Sequence, residues 1–170
     1  MVTIRHYKES DLQKLHELLS NKENMYFLDD IATNILEETE ENLKHAMFNE
    51  DGNYFCIIEE GTGEFVGSVG YTVTDINPLG KIGHMGFFIL PKFQGKGYTA
   101  KAARDALGFA FEHDSVVRMT TGCHKDNVAS SKVIVKAGFR LEGERVKAVY
   151  HDGVMKDRLE YGVGREEFLG

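Results

Sequence analysis

The sequence predicts an α+β protein, a single domain over residues 1–170, built on a central and mostly antiparallel sheet. Three observations point there. Segments of strand period and helix period follow each other in the order β α α β β β α β α β β. Several of the strands meet at short glycine-bearing turns, which join antiparallel neighbours. The composition, 42% hydrophobic with only two prolines in 170 residues, suits one core that buries ~70% of the unfolded surface.

Taken in order, "VTIRHY" reads as a short strand. Ser10 and Gln13 form a capping-box pair, after which Leu12, Leu15 and Leu19 share one helical face. "ENMYFLDDIATNIL" has no clean period and reads as a loop over a binding site or a short helix. "TEENLKHAMF", Thr39 to Phe48, is the second helix. "NYFCIIEE" and "EFVGSVGYTV" are strands joined at "GTG", and "KIGHMGFFIL" is another strand. A helix from about Tyr98 to His113 carries Ala103, Leu107, Ala110 and Phe111 inward. "SVVRMTTGC" is a strand. "NVASSKVIVKAG" is a helix capped by Asn127 and stopped at Gly138. "FRLEGERVKAVY" and "VMKDRLEYGV" are strands with "HDG" as the hairpin turn.

The net charge of −7 argues against a nucleic-acid binder, which needs a basic face for the phosphate backbone. It suits a cationic or amine-bearing substrate, and equally a merely soluble surface. Cys56 and Cys123 stand far apart with no CxxC, which reads as two buried thiols rather than a disulfide framework or a zinc site. No signal-peptide core and no apolar run of ~20 residues occurs. A soluble cytoplasmic protein is expected, with no membrane partner and no metal.

"ILPKFQGKGYTAKAARDALGFAF", from Ile89 to Phe111, carries the chemistry. Glycines between a strand and a helix let main-chain N–H groups approach an anion, and the helix N-terminus adds partial positive charge. The Walker pattern is absent. Gly95, Gly97 and Ala100 satisfy the Rossmann GxGxx[GA] spacing, but the surrounding hairpins do not suit a dinucleotide fold, and no acidic residue follows the next strand to hold a ribose.

"QGKGYT" resembles the [QR]xxGx[GA] signature of the GNAT N-acetyltransferases, which grip the pyrophosphate of acetyl-CoA. "DNVASSKVIVKAGFRLEGE" is similar to that family's Asn-x-x-Ser…Lys-x-Gly-Phe segment, here Asn127, Ser130, Lys136, Gly138 and Phe139. The resemblance covers nearly the whole chain and is nearest to the RimJ/RimL type. It implies about seven strands flanked by about four helices, with a splayed strand pair that holds the CoA arm. It implies cofactor contacts from Phe88, Ile89, Leu90, Gln94, Gly95, Lys96, Gly97, Tyr98, Thr99, Asn127 and Ser130, with the N–H of Ile89 as oxyanion donor. Thr99 stands where the signature prefers Gly or Ala, and its hydroxyl suits a cap or a phosphate oxygen. The family's tyrosine acid falls at Ile134, and a glutamate of RimL-like enzymes falls at Val149.

Acetyl transfer to an amine needs a deprotonated nucleophile, its placement at the thioester carbon, an oxyanion donor and a leaving thiolate. The family is thought to use direct attack, so Cys123 reads as packing. His84 sits where relatives carry a base, and an imidazole titrates near neutrality. A lone strand histidine also suits a structural role. Tyr150 and Glu142 are the other candidates. Ser130 and Asn127 each have two readings, a cofactor contact or a helix cap. A protein N-terminus is the leading acceptor. A polyamine, amino acid or antibiotic is the second, and a CoA-binding module without catalysis is the third. Met25 to Asn34 and His151 to Gly153 are expected to shape the acceptor site of a monomer or homodimer.

Overall fold

The computed structural model describes every residue except Asp29, Asp30 and Asn49. Strands β1 (Val2–His6), β2 (Gly52–Glu59), β3 (Phe65–Asn77), β4 (Gly80–Ile89), β5 (Val116–His124), β6 (Arg140–His151) and β7 (Val154–Gly164) form one sheet, in the order β1-β2-β3-β4-β5-β7-β6. The helices are α1 (Leu12–Ser20), α2 (Leu36–Phe48), α3 (Tyr98–His113), α4 (Val128–Ala137) and α5 (Arg165–Leu169). All seven expected strands are present, and α5 adds a helix that the sequence pattern does not reveal. None of the helices is long and apolar enough to cross a membrane.

Neighbouring strands are antiparallel except β4 and β5. That parallel pair is short: its register runs only from Lys81–Val116 to His84–Thr120. Past it the strands diverge, and the Thr121 hydroxyl donates to Met85 O at 2.8 Å near the apex. This is the splayed pair that the resemblance implies.

Helix α3 packs flat because its inner face is small. Ala102, Ala103, Ala106 and Ala110 have no exposed surface, and Leu107 and Phe111 fill the space beside them. Truncating Leu107 to Ala would cost ~2–5 kcal/mol as a cavity. Just beyond the helix, Asp114 accepts hydrogen bonds from Lys81 Nζ at 2.6 Å, Tyr71 Oη at 2.8 Å and Asn53 Nδ2 at 3.1 Å. The helix is thereby fixed at one end to β2, β3 and β4, with its N-terminus at the opposite end of β4, beside the glycine loop.

The first helix starts differently from expectation. A 3-10 turn, Glu9–Asp11, precedes α1. The capping carboxylate is Asp11, which accepts the Lys8 N–H at 2.9 Å, rather than the Ser10–Gln13 pair. Arg5 donates to both Asp11 oxygens at 2.8 Å. A charge-assisted pair outcompetes a neutral serine cap. The stretch after α1 forms turns rather than a helix. Asp29 and Asp30, within the expected Met25 to Asn34 segment, lie outside the described residues. The "HDG" turn has Asp152 at φ 51° and Gly153 at φ 79°, the two positive values that a type I′ hairpin needs.

Candidate active site

A cavity of about 660 Å³ fills the gap between β4 and β5. It extends to the glycine loop at Gln94, Gly95 and Thr99, and to Asn127 and Ser130 at the start of α4. Strand alternation gives it two faces. On one face of the sheet lie Thr120 and His124 of β5, with Arg158 of β7 opposite His124 and Glu160 opposite Gly122, and His84, which pairs with Thr120. On the other face lie Cys123 and Tyr161, against α4, where Ser131 Oγ is 2.6 Å from Tyr161 Oη.

The β4 main chain alternates as well. Leu90 N–H donates to Val66 O of β3 at 2.9 Å, whereas Met85 O faces β5 and meets Thr121. By the two-residue period, Phe87 and Ile89 turn their peptide groups to the gap, and Phe88 and Leu90 turn theirs to β3. The expected trio of Phe88, Ile89 and Leu90 is therefore narrowed. Ile89 alone presents its N–H to the gap. Phe88 contributes its side chain to the wall, and Leu90, 4% exposed, belongs to the core. Phe87, which the sequence reading omits, joins Ile89.

In the loop, Gly95 and Gly97 have φ of 75° and 78°, in the left-handed region. A Cβ at Gly95 would point into open space. The first-turn amides of α3 at Tyr98, Thr99 and Ala100 have no intrahelical acceptor. These features suit a phosphate, and Lys136 Nζ lies 3.4 Å from where a Gly97 Cβ would stand. Lys96, Gly97 and Tyr98 do not line the cavity with side chains. Lys96 lies over the Phe93 and Tyr98 rings, at 5.4 and 5.7 Å, and Tyr98 Oη donates to Glu59 at 2.7 Å.

Asn127 caps α4 and also faces the cavity. Its Oδ1 accepts the Ser130 N–H at 3.2 Å, and the residue lines the cavity, so Nδ2 remains as a donor on that side. Ser130 lines the cavity next to Cys123. Burial pushes the Cys123 thiol up, which disfavours a thiolate nucleophile. Among the described residues, no cluster of His, Cys, Asp and Glu is placed to hold a metal ion.

His84 Nδ1 is 3.0 Å from Thr120 Oγ1, and that hydroxyl donates to Gly83 O at 3.2 Å. The hydroxyl proton is used, so Nδ1 carries the ring proton and Nε2 the lone pair. Burial, and then the nearby Arg158 charge, hold His84 below its ordinary value, with Glu160 opposing. The ring is neutral at pH 7. Tyr150, 71% exposed, stands at the mouth. Glu142 is bound by Arg118 and lies outside the cavity wall. Ile134 is fully buried and Val149 is a wall residue, so neither supplies a proton.

One end of the cavity is roofed. The Phe27 ring lies 5.2 Å from His124 and 5.7 Å from His151, and Tyr26 lies 4.7 Å from His151. The segment after α1 is thereby joined to the ends of β5 and β6, which brings the two expected acceptor regions together. Phe27 lies within the expected Met25 to Asn34 segment, whereas Gly122 and Arg158 are cavity residues that the sequence reading does not find. Their only sequence signal is strand alternation, and that requires the register.

Comparison with known proteins agrees with this architecture. The family model described as acetyltransferase (GNAT) domain matches residues 1–140. The spermidine N(1)-acetyltransferase of Escherichia coli (strain K12) is 23% identical over 169 residues, 99% of this chain and 88% of that protein. The crystal structure of spermidine N-acetyltransferase from Vibrio cholerae, in complex with CoA and spermine, has a TM-score of 0.88 at 20% identity, covering 99% of this chain and 98% of that one. RimL, a ribosomal L7/L12 alpha-N-protein acetyltransferase in complex with CoA, has a TM-score of 0.81 at 24% identity over 96% and 93%. At these identities the solved structures establish the fold, while the family match spans most of the chain. The chain belongs to the GNAT acetyltransferase family and is an N-acetyltransferase with acetyl-CoA as its co-substrate.

Proposed function

We propose that the protein acetylates the primary amine of a small molecule. The observation that carries this reading is the roof of Phe27, His124 and His151 over the acceptor end. A protein N-terminus would need an open groove there for the following residues. The similarity to spermidine acetyltransferases supports a small acceptor, and the RimL likeness favours a protein one less directly.

In this reading the pyrophosphate rests on the Gly95 to Ala100 amides and the pantetheine arm enters from the α4 side. The amine approaches on the opposite face, where His84 Nε2 is available. The amine nitrogen bonds to the thioester carbon, and its proton passes to His84 directly or through water. The Ile89 N–H stabilises the oxyanion. The C–S bond then breaks, and the thiolate leaves beside Ser130. The test is CoA release with a panel of small amines and N-terminal peptides. Turnover with small amines and none with peptides is expected. Turnover with peptides alone overturns the reading, and so does CoA binding without turnover on any amine.

A further inference from the structure

We propose that Arg158 determines acceptor specificity and that the acceptor carries a carboxylate beside its reacting amine. The inference rests on the small-amine reading and names the substrate class for the same site.

Arg158 is directly opposite His124 across the β5–β7 ladder, on the face that carries His84. Its side chain turns along the sheet over Gly122. A Cβ built at Gly122 would stand 2.6 Å from Nη2 and 2.9 Å from Cζ, so the missing side chain at residue 122 is what admits the guanidinium. Nε donates to Glu160 Oε1 at 2.9 Å. That bond fixes the guanidinium plane through one edge. The terminal nitrogens form the other edge, and no protein acceptor takes them among the described residues. Such a fork matches a carboxylate with two parallel hydrogen bonds.

The charge balance agrees. Glu160 is shared between Arg158 and Arg145, the latter at 3.6 Å, so these three groups sum to one positive charge. Among the described residues lining the cavity, Arg158 is the formal charge and none is a carboxylate. A polycation entering this face would meet a like charge, whereas an aminocarboxylate would present its anion to the fork and its amine toward His84. Among the described residues that line the cavity the formal charge is therefore positive, in contrast to the protein's net charge of −7.

Arg158 is a quarter exposed, so a moderate discrimination is expected, ~10- to 100-fold rather than the larger ratios of sealed sites. The test uses L-α-amino acids and 4-aminobutanoate, each against its carboxamide, with spermidine as the polycation. Two quantities are measured: CoA release from acetyl-CoA, and calorimetric binding of each compound to the protein–CoA complex. The wild type is expected to prefer carboxylates over carboxamides by that factor. Arg158→Gln should bring the ratio to about one without changing CoA affinity, which also reports that the variant is folded. Arg158→Lys should restore the preference only in part, since it returns the charge without the fork. Carboxylate binding that depends on Arg158 but gives no acetyl transfer would overturn the acceptor assignment together with the small-amine reading, and would leave Arg158 as a carboxylate-binding residue only. Equal use of carboxylates and carboxamides, preferred use of spermidine, or no carboxylate binding at all would overturn the inference. A uniform loss across all amines in Arg158→Gln would also overturn it, by marking a general structural role.

Discussion

His84 Nδ1 and Thr120 Oγ1 are 3.0 Å apart across the last paired rung of β4 and β5, and this contact leaves Nε2 as the nitrogen that can accept a proton in the cavity. A base on this strand must be neutral to act, so turnover should rise with pH through the His84 titration. Burial and Arg158 favour the neutral ring, which puts that limb below the ordinary 6.5 and leaves a plateau above it. His84→Ala should lose ~10²–10³-fold in kcat and remove the limb, with acetyl-CoA affinity unchanged. Thr120→Val frees the tautomer and should lose about tenfold in kcat. A loss below about tenfold in His84→Ala, with the limb in place, would assign the proton to Tyr150 or to water.

The same physics makes the fold acid-sensitive. His84 and His124 are both held below 6.5, His84 by burial and then Arg158, and His124 by burial and then its neighbour His151. A histidine whose folded value is depressed contributes its full stability above the unfolded value and loses it as pH falls toward the folded one. The melting temperature should therefore be flat between about pH 7 and 8 and decline below about 6.5. The double replacement His84→Gln/His124→Gln should flatten that decline. An unchanged pH slope would show that other groups dominate it.

Gly97→Val should weaken CoA binding by more than about tenfold, since a β-branched residue at φ 78° displaces the loop amides. The strain of ~1–2 kcal/mol should lower the melting temperature modestly without unfolding the chain. Lys96→Ala should change affinity less than threefold or so, because its ammonium lies over Phe93 and Tyr98 and away from the cavity. Calorimetry decides both.

Asn127→Ala removes a cap and should cost ~1 kcal/mol of stability. If Nδ2 also holds the pantetheine arm, KM for acetyl-CoA should rise about tenfold beyond that loss. A melting shift with unchanged kinetic constants would leave Asn127 as a cap alone.

The features legible in the sequence were the local ones. Asn127 and Gly138 bracket α4 because caps and left-handed stops are decided within a few residues, and Gly95 and Gly97 announce their backbone through composition. The Ser10–Gln13 pair gives way to Asp11 because Arg5, at the end of the preceding strand β1, draws that carboxylate into the turn, an ion pair that composition does not announce. Leu90 was assigned to the cofactor because its amide direction depends on the β3 register. Arg158 and Gly122 were invisible together: one reads as a surface charge and the other as a strand glycine. Only the β5–β7 pairing brings them into one site. Helix α5, five residues with an apolar Phe168 and Leu169, is too short to show a period.

The central claim is that acetyl-CoA lies in the β4–β5 gap, with its thioester presented to the face that carries His84. The most direct measurement is a crystal structure of the protein with acetyl-CoA or a non-hydrolysable analogue. The account predicts the pyrophosphate on the amides from Gly95 to Ala100, the pantetheine arm between Phe87–Ile89 and Gly122–Cys123, and the carbonyl oxygen within hydrogen-bond distance of the Ile89 N–H. A pyrophosphate bound away from the glycine loop, or a thioester turned to the Ser131–Tyr161 face with no path to His84, would contradict it.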